Sequence, residues 1–314
     1  MLPPTSLSAY QHDDWISSVK EQNGLFLTGS YDNMVRLWNK SGECVATFSG
    51  HSDSVKSVAF GSSNDSEAVV FSGSLDHSLL AWSYSLENGE QRELFECKGH
   101  KGPIESIAVD NKKELIGSAS ADSTIKIWST NEPEEDEEQE TTTSIAGKSK
   151  RRKTEKKSDR KIKTSLSTLE GHVGAVNAIS FDDNDSSIVY TGGWDHSIRS
   201  WNIEQQVNLV TKNCEKVVLD VDYSSRSKLI ATGHTDSILR LWDPRSEEGT
   251  NVKQALRGHS AWISSVSWSK TSEYLLCSGS YDSTVRVWDI RNWNEQFIIS
   301  GGEDKQLRIY QTKI

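Results

Sequence analysis

Short apolar runs separated by polar turns recur along the chain and predict β-strands. The segments LFLTGS at 25–30 and VRLW at 35–38 are typical, because apolar residues alternate or run together over four to six positions. Between them, Asp32 and small polar residues favour a tight turn. Each such pair therefore predicts a β-hairpin. No apolar run is long enough to cross a membrane.

The hairpin recurs with fixed internal spacing. GSYDNMVRLWN at 29–39 returns almost unchanged as GSYDSTVRVWD at 279–289. Every copy has Ser or Thr four residues before the turn Asp and an aromatic residue six residues after it. Repeats at a fixed period predict a repeat architecture. The seven turn residues are Asp32, Asp76, Asp122, Asp195, Asp236, Asp282 and Asp304, and the aromatic residues are Trp38, Trp82, Trp128, Trp201, Trp242, Trp288 and Tyr310.

Most copies also carry a histidine upstream of the hairpin. His12 lacks the preceding Gly that the other histidines have, and Cys214 stands where the fifth copy should have His. Ser/Thr and Asp lie an even number of residues apart, so we expect them on one side of the hairpin, bonded to His and the Trp indole. The predicted structural network comprises His51, Ser72, Asp76, Trp82; His100, Ser118, Asp122, Trp128; His172, Thr191, Asp195, Trp201; His259, Ser278, Asp282 and Trp288.

Ser, His and Asp are also the residue types of a hydrolase triad. A triad needs one exposed Ser beside one His, whereas this set recurs about five times, each time with a Trp. His77 and His196, beside the turn Asp, fit exposed turn residues better than metal ligands. The sequence has no P-loop, metal-ligand spacing or nucleophile elbow. We therefore predict no enzyme activity and no cofactor.

The repeat resembles the WD40 repeat, which has four strands per blade. Seven copies predict an all-β, seven-bladed propeller that spans residues 1–314. Its last blade is expected to be incomplete, since Asp282 and Asp304 are only 22 residues apart, whereas successive copies without an insertion between them are 41 to 46 apart. We expect the outer strand of that blade to come from the N-terminus, around residues 7–11.

A charged insertion at 131–163 separates the third and fourth copies. It is acidic first and basic afterwards, with almost no apolar residue, so it is predicted to be a disordered loop of blade 3. Its basic half indicates a nuclear localisation signal, a contact to RNA phosphates, or a solvated charge run. The residues of the predicted signal are Lys150, Arg151, Arg152, Lys153, Lys156 and Lys157.

Composition narrows the function classes. The net charge of −10 argues against a general nucleic-acid binder. Four scattered Cys argue against a zinc site or a disulfide framework and favour a reducing compartment. The first residues show no secretory signal. Among the 11 Trp, Trp15, Trp194 and Trp262 are candidate partner anchors, although blade packing explains Trp15 and Trp262 equally well.

Several segments resemble a particular WD40 family. LPPTSLSAYQHDDWISSV, TGGWDHSIRSW, the fifth repeat ending LRLWDPR, GHSAWISSVSW and the insertion are similar to the WD-repeat subunit of the Pescadillo (PeBoW) complex. The resemblance implies a nucleolar and nucleoplasmic scaffold that joins Pescadillo and its WD-repeat partner on pre-60S ribosomal particles. It implies a role in maturation of the large-subunit rRNAs (25S/28S and 5.8S) and in assembly of the 60S subunit.

Two further expectations accompany this resemblance. The family carries an N-terminal ubiquitin-like domain that the ATPase midasin grips; this sequence begins at the propeller, so we expect that domain to be absent and midasin contact is in doubt. The alternative function is a substrate receptor of a cullin-RING ubiquitin ligase, because WDPR at 242–245 and WDIR at 288–291 match its WDxR sequence. Local pairing of those arginines would explain the same pattern.

Overall fold

The chain folds into antiparallel β-sheets arranged around a common axis as the blades of a propeller. The computed structural model describes residues 10–64, 66–133, 160–246 and 252–291, and the strands at 295–296, 299–301 and 306–309. Within these residues the regular structure consists of strands, and none of it is a helix that could cross a membrane. The all-β propeller prediction is confirmed.

Each of six sheets is a blade built around the repeated hairpin. Blade 1 contains β2 Ile16–Gln22, β3 Leu25–Ser30, β4 Met34–Trp38 and β5 Cys44–Ser49. Blade 2 contains β6 Val55–Phe60, β7 Glu67–Ser74, β8 Leu79–Ser85, β9 Gln91–Cys97 and, at its outer edge, β13 Ile162–Lys163. Blade 3 contains β10 Ile104–Asp110, β11 Leu115–Ser120, β12 Thr124–Ser129 and β14 Ser167–Glu170.

The second half of the ring repeats this order. Blade 4 contains β15 Val176–Phe181, β16 Ile188–Gly193, β17 Ser197–Asn202 and β18 Val207–Asn213. Blade 5 contains β19 Val218–Ser224, β20 Leu229–His234, β21 Ile238–Trp242 and β22 Val252–Arg257. Blade 6 contains β23 Ile263–Trp268, β24 Leu275–Ser280, β25 Val285–Asp289 and β26 Glu295–Gln296.

The predicted seven blades are not confirmed, because the described residues form six sheets of four or more strands. The seventh sheet has only three short strands, β1 Tyr10–Gln11, β27 Ile299–Gly301 and β28 Gln306–Ile309. The short stretch between Trp288 and Ile299 contains the outer strand of blade 6, and β27 and β28 follow it among the described residues. Tyr10 pairs with Leu307, so the N-terminal strand joins the last one.

The end of the charged insertion is ordered, which corrects its expected extent of 131–163. Ile162–Lys163 pairs in parallel with Glu96–Cys97. Arg160 lies 2.6 Å from a Glu93 carboxylate oxygen, and the Lys163 ammonium lies 4.6 Å from the centre of the Phe95 ring. These contacts offset the cost of ordering a charged segment. The basic residues at 150–157 lie outside the described residues.

Neighbouring blades pack through glycines in their second strands. A Cβ atom added to Gly192 would lie 2.6 Å from Val221 Cγ2 in blade 5, and one added to Gly73 would lie 2.6 Å from Ile104 Cγ2 in blade 3. Such separations are far below van der Waals contact, so only glycine fits. The equivalent Gly279 of blade 6 has only Ser264 Oγ, at 4.0 Å, around the same position among the described residues.

Polar side chains also join the innermost strands of adjacent blades. The Asp220 carboxylate accepts the Val266 amide at 2.7 Å, and the Asp222 carboxylate accepts the Trp268 amide at 2.7 Å. Burial raises the pKa of Asp220 to about 6, although the Val266 amide opposes that shift. Serine hydroxyls take the same role between other blades. The Ser18 hydroxyl accepts the Val58 amide, the Ser57 hydroxyl accepts the Ile107 amide, and the Ser180 hydroxyl accepts the Tyr223 amide.

The glycine contacts give a first prediction. Gly192→Ala should lower the free energy of unfolding by about 1–3 kcal/mol, because the new methyl group overpacks the contact between blades 4 and 5. Ser62→Ala, at an exposed position, is the control and should change it by less than about 0.5 kcal/mol. Urea unfolding followed by circular dichroism measures both variants. Equal free energies of unfolding for Gly192→Ala and Ser62→Ala would contradict the overpacking.

Candidate functional site

In five blades the structure brings the repeated His, Ser/Thr and Asp side chains together. In blade 3, His100 Nδ1 lies 2.9 Å from Asp122 Oδ2 and His100 Nε2 lies 2.8 Å from Ser118 Oγ. The corresponding distances lie between 2.7 and 2.9 Å in the other four sets. These sets are His12–Asp32–Thr28, His51–Asp76–Ser72, His172–Asp195–Thr191 and His259–Asp282–Ser278.

The tryptophan completes each set from the third strand of the blade. The Trp128 indole N–H donates to Ser118 Oγ at 2.9 Å, and Trp38, Trp201 and Trp288 make the same bond at 2.8 Å. In blade 2, Trp82 packs edge-on against His51 with ring centres 5.9 Å apart. A proton on Nδ1 lets the imidazole donate to Asp while its Nε2 accepts from the hydroxyl. In blades 1, 3, 4 and 6 the hydroxyl, both ring nitrogens and the indole N–H are then all hydrogen-bonded.

The geometry resembles a hydrolase triad, but its burial prevents that chemistry. Ser72 and Ser118 are fully buried and Ser278 is nearly so. Their hydroxyl oxygen also accepts the indole N–H in blades 3 and 6, so no substrate carbonyl can reach it. The groups can hold strands together but cannot act as nucleophiles.

Hydrogen bonds favour the ionised form of Asp76, Asp122 and Asp282, and burial favours the neutral form of His100 and His172. Burial alone would raise the pKa of Asp122, but bonds from Thr124, the Lys101 amide and His100 outweigh it and lower the pKa to about 2. Hydrogen bonds outweigh burial in the same way at Asp76 and Asp282, whose pKa values are lowered. Burial lowers the pKa of His100 and His172 despite their Asp partners.

Three tryptophans that the sequence singled out are about half exposed. Trp15 is 46 % exposed, Trp194 51 % and Trp262 49 %. Trp15 packs edge-on against Tyr31, and Trp262 packs edge-on against Tyr281, with ring centres 6.0 and 6.2 Å apart. Large aromatic side chains that remain in water are candidate partner anchors.

The arginines of the two WDxR sequences pair within their own motifs. Arg245 donates to both carboxylate oxygens of Asp243, at 2.9 and 2.8 Å. Arg291 donates to both oxygens of Asp289, at 3.0 and 2.6 Å, and lies over the Tyr274 ring. Pairing with the Asp of the same motif therefore accounts for the arginine in both WDxR sequences.

Comparison with known proteins gives the family. The WD40 model (WD domain, G-beta repeat) matches residues 4–39, 42–83, 91–129, 163–202, 206–243 and 250–289. The chain is similar to a Nematostella vectensis protein named "Ribosome biogenesis protein WDR12 homolog", with 36 % identity over 94 % of this chain and 70 % of that protein. Proteins of the same name from Anopheles gambiae (35 %, covering 96 % and 73 %) and Trichoplax adhaerens (36 %, covering 99 % and 76 %) also match.

The chain belongs to the WDR12 family of WD40-repeat proteins. This confirms the resemblance drawn from its motifs, since WDR12 is the WD-repeat subunit that partners Pescadillo.

Blade 5 of this WDR12-family chain replaces the missing histidine from another position. His234 is fully buried and its Nε2 lies 2.8 Å from Thr232 Oγ1, which also accepts the Trp242 indole. Asp236 pairs instead with Arg240, at 2.9 and 2.6 Å. Burial and the nearby Arg240 lower the pKa of His234 to about 4, so the ring is neutral at pH 7.

Sequence reasoning missed His234 although a signal was present. His234 stands two residues after Thr232, so the period of a strand places both on one face. The inter-blade acceptors Asp220 and Asp222 were also missed, because sequence spacing does not reveal which blades meet. Of the described residues, no cluster of His, Cys, Asp and Glu could hold a metal ion.

We predict that Asp122 and Asp282 stabilise this WDR12-family propeller. Asp122→Ala deprives His100, Thr124 and the Lys101 amide of their acceptor, and should cost about 1–3 kcal/mol. Asp282→Ala should behave alike, because His259, Thr284 and the Ser260 amide lose theirs. Thermal unfolding measures the effect, with exposed Asp183→Ala as control. Unchanged midpoints for both network variants would contradict a structural role.

The pH dependence gives an independent test. The folded pKa of Asp122 is about 2, below the unfolded value of about 3.9, so its contribution is present above pH 4. That contribution should disappear as the pH falls from about 4 to about 2. Asp122→Asn should therefore flatten the stability profile in this interval, whereas Asp183→Asn should leave it unchanged. Parallel profiles for wild type and Asp122→Asn would refute the lowered pKa.

Proposed function

We propose that this chain is a non-catalytic scaffold of a Pescadillo-type (PeBoW) complex. Its role is maturation of the large-subunit rRNAs (25S/28S and 5.8S) and assembly of the 60S ribosomal subunit. The observation that carries this proposal is the similarity to ribosome biogenesis proteins over 94–99 % of the chain in three of the matched relatives. Its partners are Pescadillo, the WD-repeat partner of Pescadillo, and pre-60S particles.

The arrangement of polar groups supports a scaffold. The repeated Ser/Thr, His and Asp side chains bond to one another inside the blades, so they hold the propeller in shape. What remains for partners is the outer surface, where Trp15, Trp194 and Trp262 are about half exposed. A rigid ring with aromatic anchors suits protein binding.

A ubiquitin-ligase receptor is the second candidate, and it is less well supported. Both WDxR arginines already pair with the Asp of their own motif. An adaptor would have to break those bidentate pairs before it could use the guanidinium groups.

Affinity purification distinguishes the two. The tagged chain should recover Pescadillo, its WD-repeat partner and large-subunit precursor particles. Arg245→Ala with Arg291→Ala should leave that recovery unchanged, because those arginines pair locally. Recovery of a cullin adaptor in place of Pescadillo, lost in the double variant, would favour the ligase receptor.

Nuclear import is the second part of the proposal, with residence in the nucleolus and nucleoplasm. The basic run at 150–157 is the proposed signal, and a contact to rRNA phosphates is a further role it could serve. Arg151→Ala, Arg152→Ala and Lys153→Ala together should lower the nuclear fraction of a fluorescent fusion.

The control for this prediction is the unfolding midpoint, which verifies that the triple variant is folded. Entry on a partner is excluded by repeating the measurement in cells depleted of Pescadillo. Undiminished nuclear accumulation there would show that the basic run is not the signal.

A further inference from the structure

Blade 1 presents an aromatic pair at its exposed end. Trp15 immediately precedes β2, and Tyr31 is the first residue of the turn between β3 and β4. The Tyr31 amide donates to the Trp15 carbonyl oxygen at 2.8 Å, and the two rings pack edge to face. Trp15 nevertheless leaves 46 % of its surface in water. A tryptophan held in place by the backbone and left exposed is suited to binding another molecule.

Acidic side chains surround this pair. Asp13 and Asp14 directly precede Trp15, and the Asp13 side chain is 88 % exposed. Asp53 of blade 2 is also exposed, and its neighbour Ser54 donates to the Tyr31 carbonyl oxygen at 3.3 Å. We call Asp13, Asp14, Trp15, Tyr31 and Asp53 the blade 1 patch.

Two cations already contact the blade 1 patch, and neither cancels its charge. Arg36 lies 3.2 Å from Asp13 but also 3.2 Å from the buried Asp32. Lys56 lies 3.5 Å from Glu105 and donates to the Tyr31 hydroxyl at 3.1 Å. The carboxylates Asp13, Asp14, Asp32, Asp53 and Glu105 therefore outnumber the cations.

The position of Lys56 shows that an aromatic ring of the blade 1 patch contacts a cation. Its ammonium lies 5.5 Å from the centre of the Tyr31 ring, within the range of a cation–π contact. The larger indole of Trp15 is a better π surface for a cation, and it has no Lys or Arg over it among the residues that the structure describes.

Blade 6 carries the same aromatic pair without the acids. The Tyr281 amide donates to the Trp262 carbonyl oxygen at 3.0 Å, and Trp262 is 49 % exposed. Ser260 and Ala261 stand where blade 1 has Asp13 and Asp14. The two blades therefore differ in charge while they share the aromatic geometry, which makes blade 6 an internal control.

We propose that the blade 1 patch binds an arginine-bearing segment of a protein partner. The guanidinium group would lie on the Trp15 indole and pair with the carboxylates of Asp13 and Asp53. Arginine fits better than lysine because its planar group can stack on an aromatic face while its N–H groups bond to carboxylates. A nucleic acid is disfavoured, because its phosphates would meet the acidic side chains.

Fluorine NMR tests the chemistry without reference to any partner. The protein is labelled with 5-fluorotryptophan, and the Trp15 and Trp262 signals are assigned with Trp15→Phe and Trp262→Phe. A blocked arginine–glycine peptide should shift the Trp15 signal and not the Trp262 signal. The same peptide with citrulline in place of arginine, which removes only the charge, should shift neither.

A charge variant tests whether the carboxylates contribute to peptide binding. Asp53→Asn should weaken the peptide's effect on Trp15 roughly fivefold, since one carboxylate is lost. No shift of Trp15 at any peptide concentration, equal shifts of Trp15 and Trp262, or equal effects of arginine and citrulline would each overturn the proposal. Binding of a single-stranded RNA that Trp15→Ala abolishes would also overturn it.

The second arm rests on the proposed function and uses the purified WD-repeat partner of Pescadillo. Calorimetry should show a loss of affinity of roughly 30-fold for Trp15→Ala, as for an interface hot spot, and of less than about threefold for Trp262→Ala. If the wild-type chain does not bind that partner, the proposed function fails while the peptide experiment still decides the patch. If it binds and Trp15→Ala is without effect, the patch does not serve this partner and the inference is overturned for it.

Discussion

A buried hydroxyl in the second strand of each described blade is the constraint on which the fold depends. Ser118 and its equivalents have essentially no contact with water, so each hydroxyl must bond inside the protein or destabilise it. It accepts an indole N–H from the third strand in most blades and bonds to a histidine ring from the loop before the first strand. The histidine in turn bonds to the Asp of the turn. One oxygen therefore holds three segments together within each blade.

Blade 5 shows that the buried hydroxyl needs a hydrogen-bond partner but that this partner need not be the loop histidine. The loop histidine is replaced by Cys214, yet Thr232 still bonds to an imidazole, that of His234, and to the Trp242 indole. Asp236 has lost its histidine partner and takes Arg240 in a bidentate pair. The hydroxyl and the carboxylate are thus each satisfied, but by different groups. The physical requirement is that buried polar atoms are paired, and the loop histidine is one of two ways to meet it.

Spacing along the chain predicted the hairpins, the all-β propeller and the residues that meet within blades 2, 3, 4 and 6, because strand period and turn chemistry are local properties.

Spacing did not predict contacts between blades, such as the bond from the Val266 amide to Asp220, since local spacing does not contain the register of neighbouring sheets. It also assigned residues 160–163 to a disordered loop, where Arg160 and Lys163 instead find Glu93 and Phe95 of blade 2. The seventh copy was expected to form an incomplete blade, and around it the described residues form a sheet of three short strands, so seven blades are not confirmed.

Because the repeated polar side chains bond to one another inside the blades, differences between blades at the surface carry the information that partners can read. The turn residues 31, 75, 121, 194, 235 and 281 occupy equivalent places, yet they are Tyr, Leu, Ala, Trp, Thr and Tyr. The fold tolerates this variation because these side chains lie beyond the buried hydroxyl and its partners. Blades 1 and 6 make the point most clearly, since they share Trp15–Tyr31 and Trp262–Tyr281 but only blade 1 adds two aspartates before the tryptophan. A partner that bound aromatic surface alone could not distinguish these two blades, whereas a cationic one could.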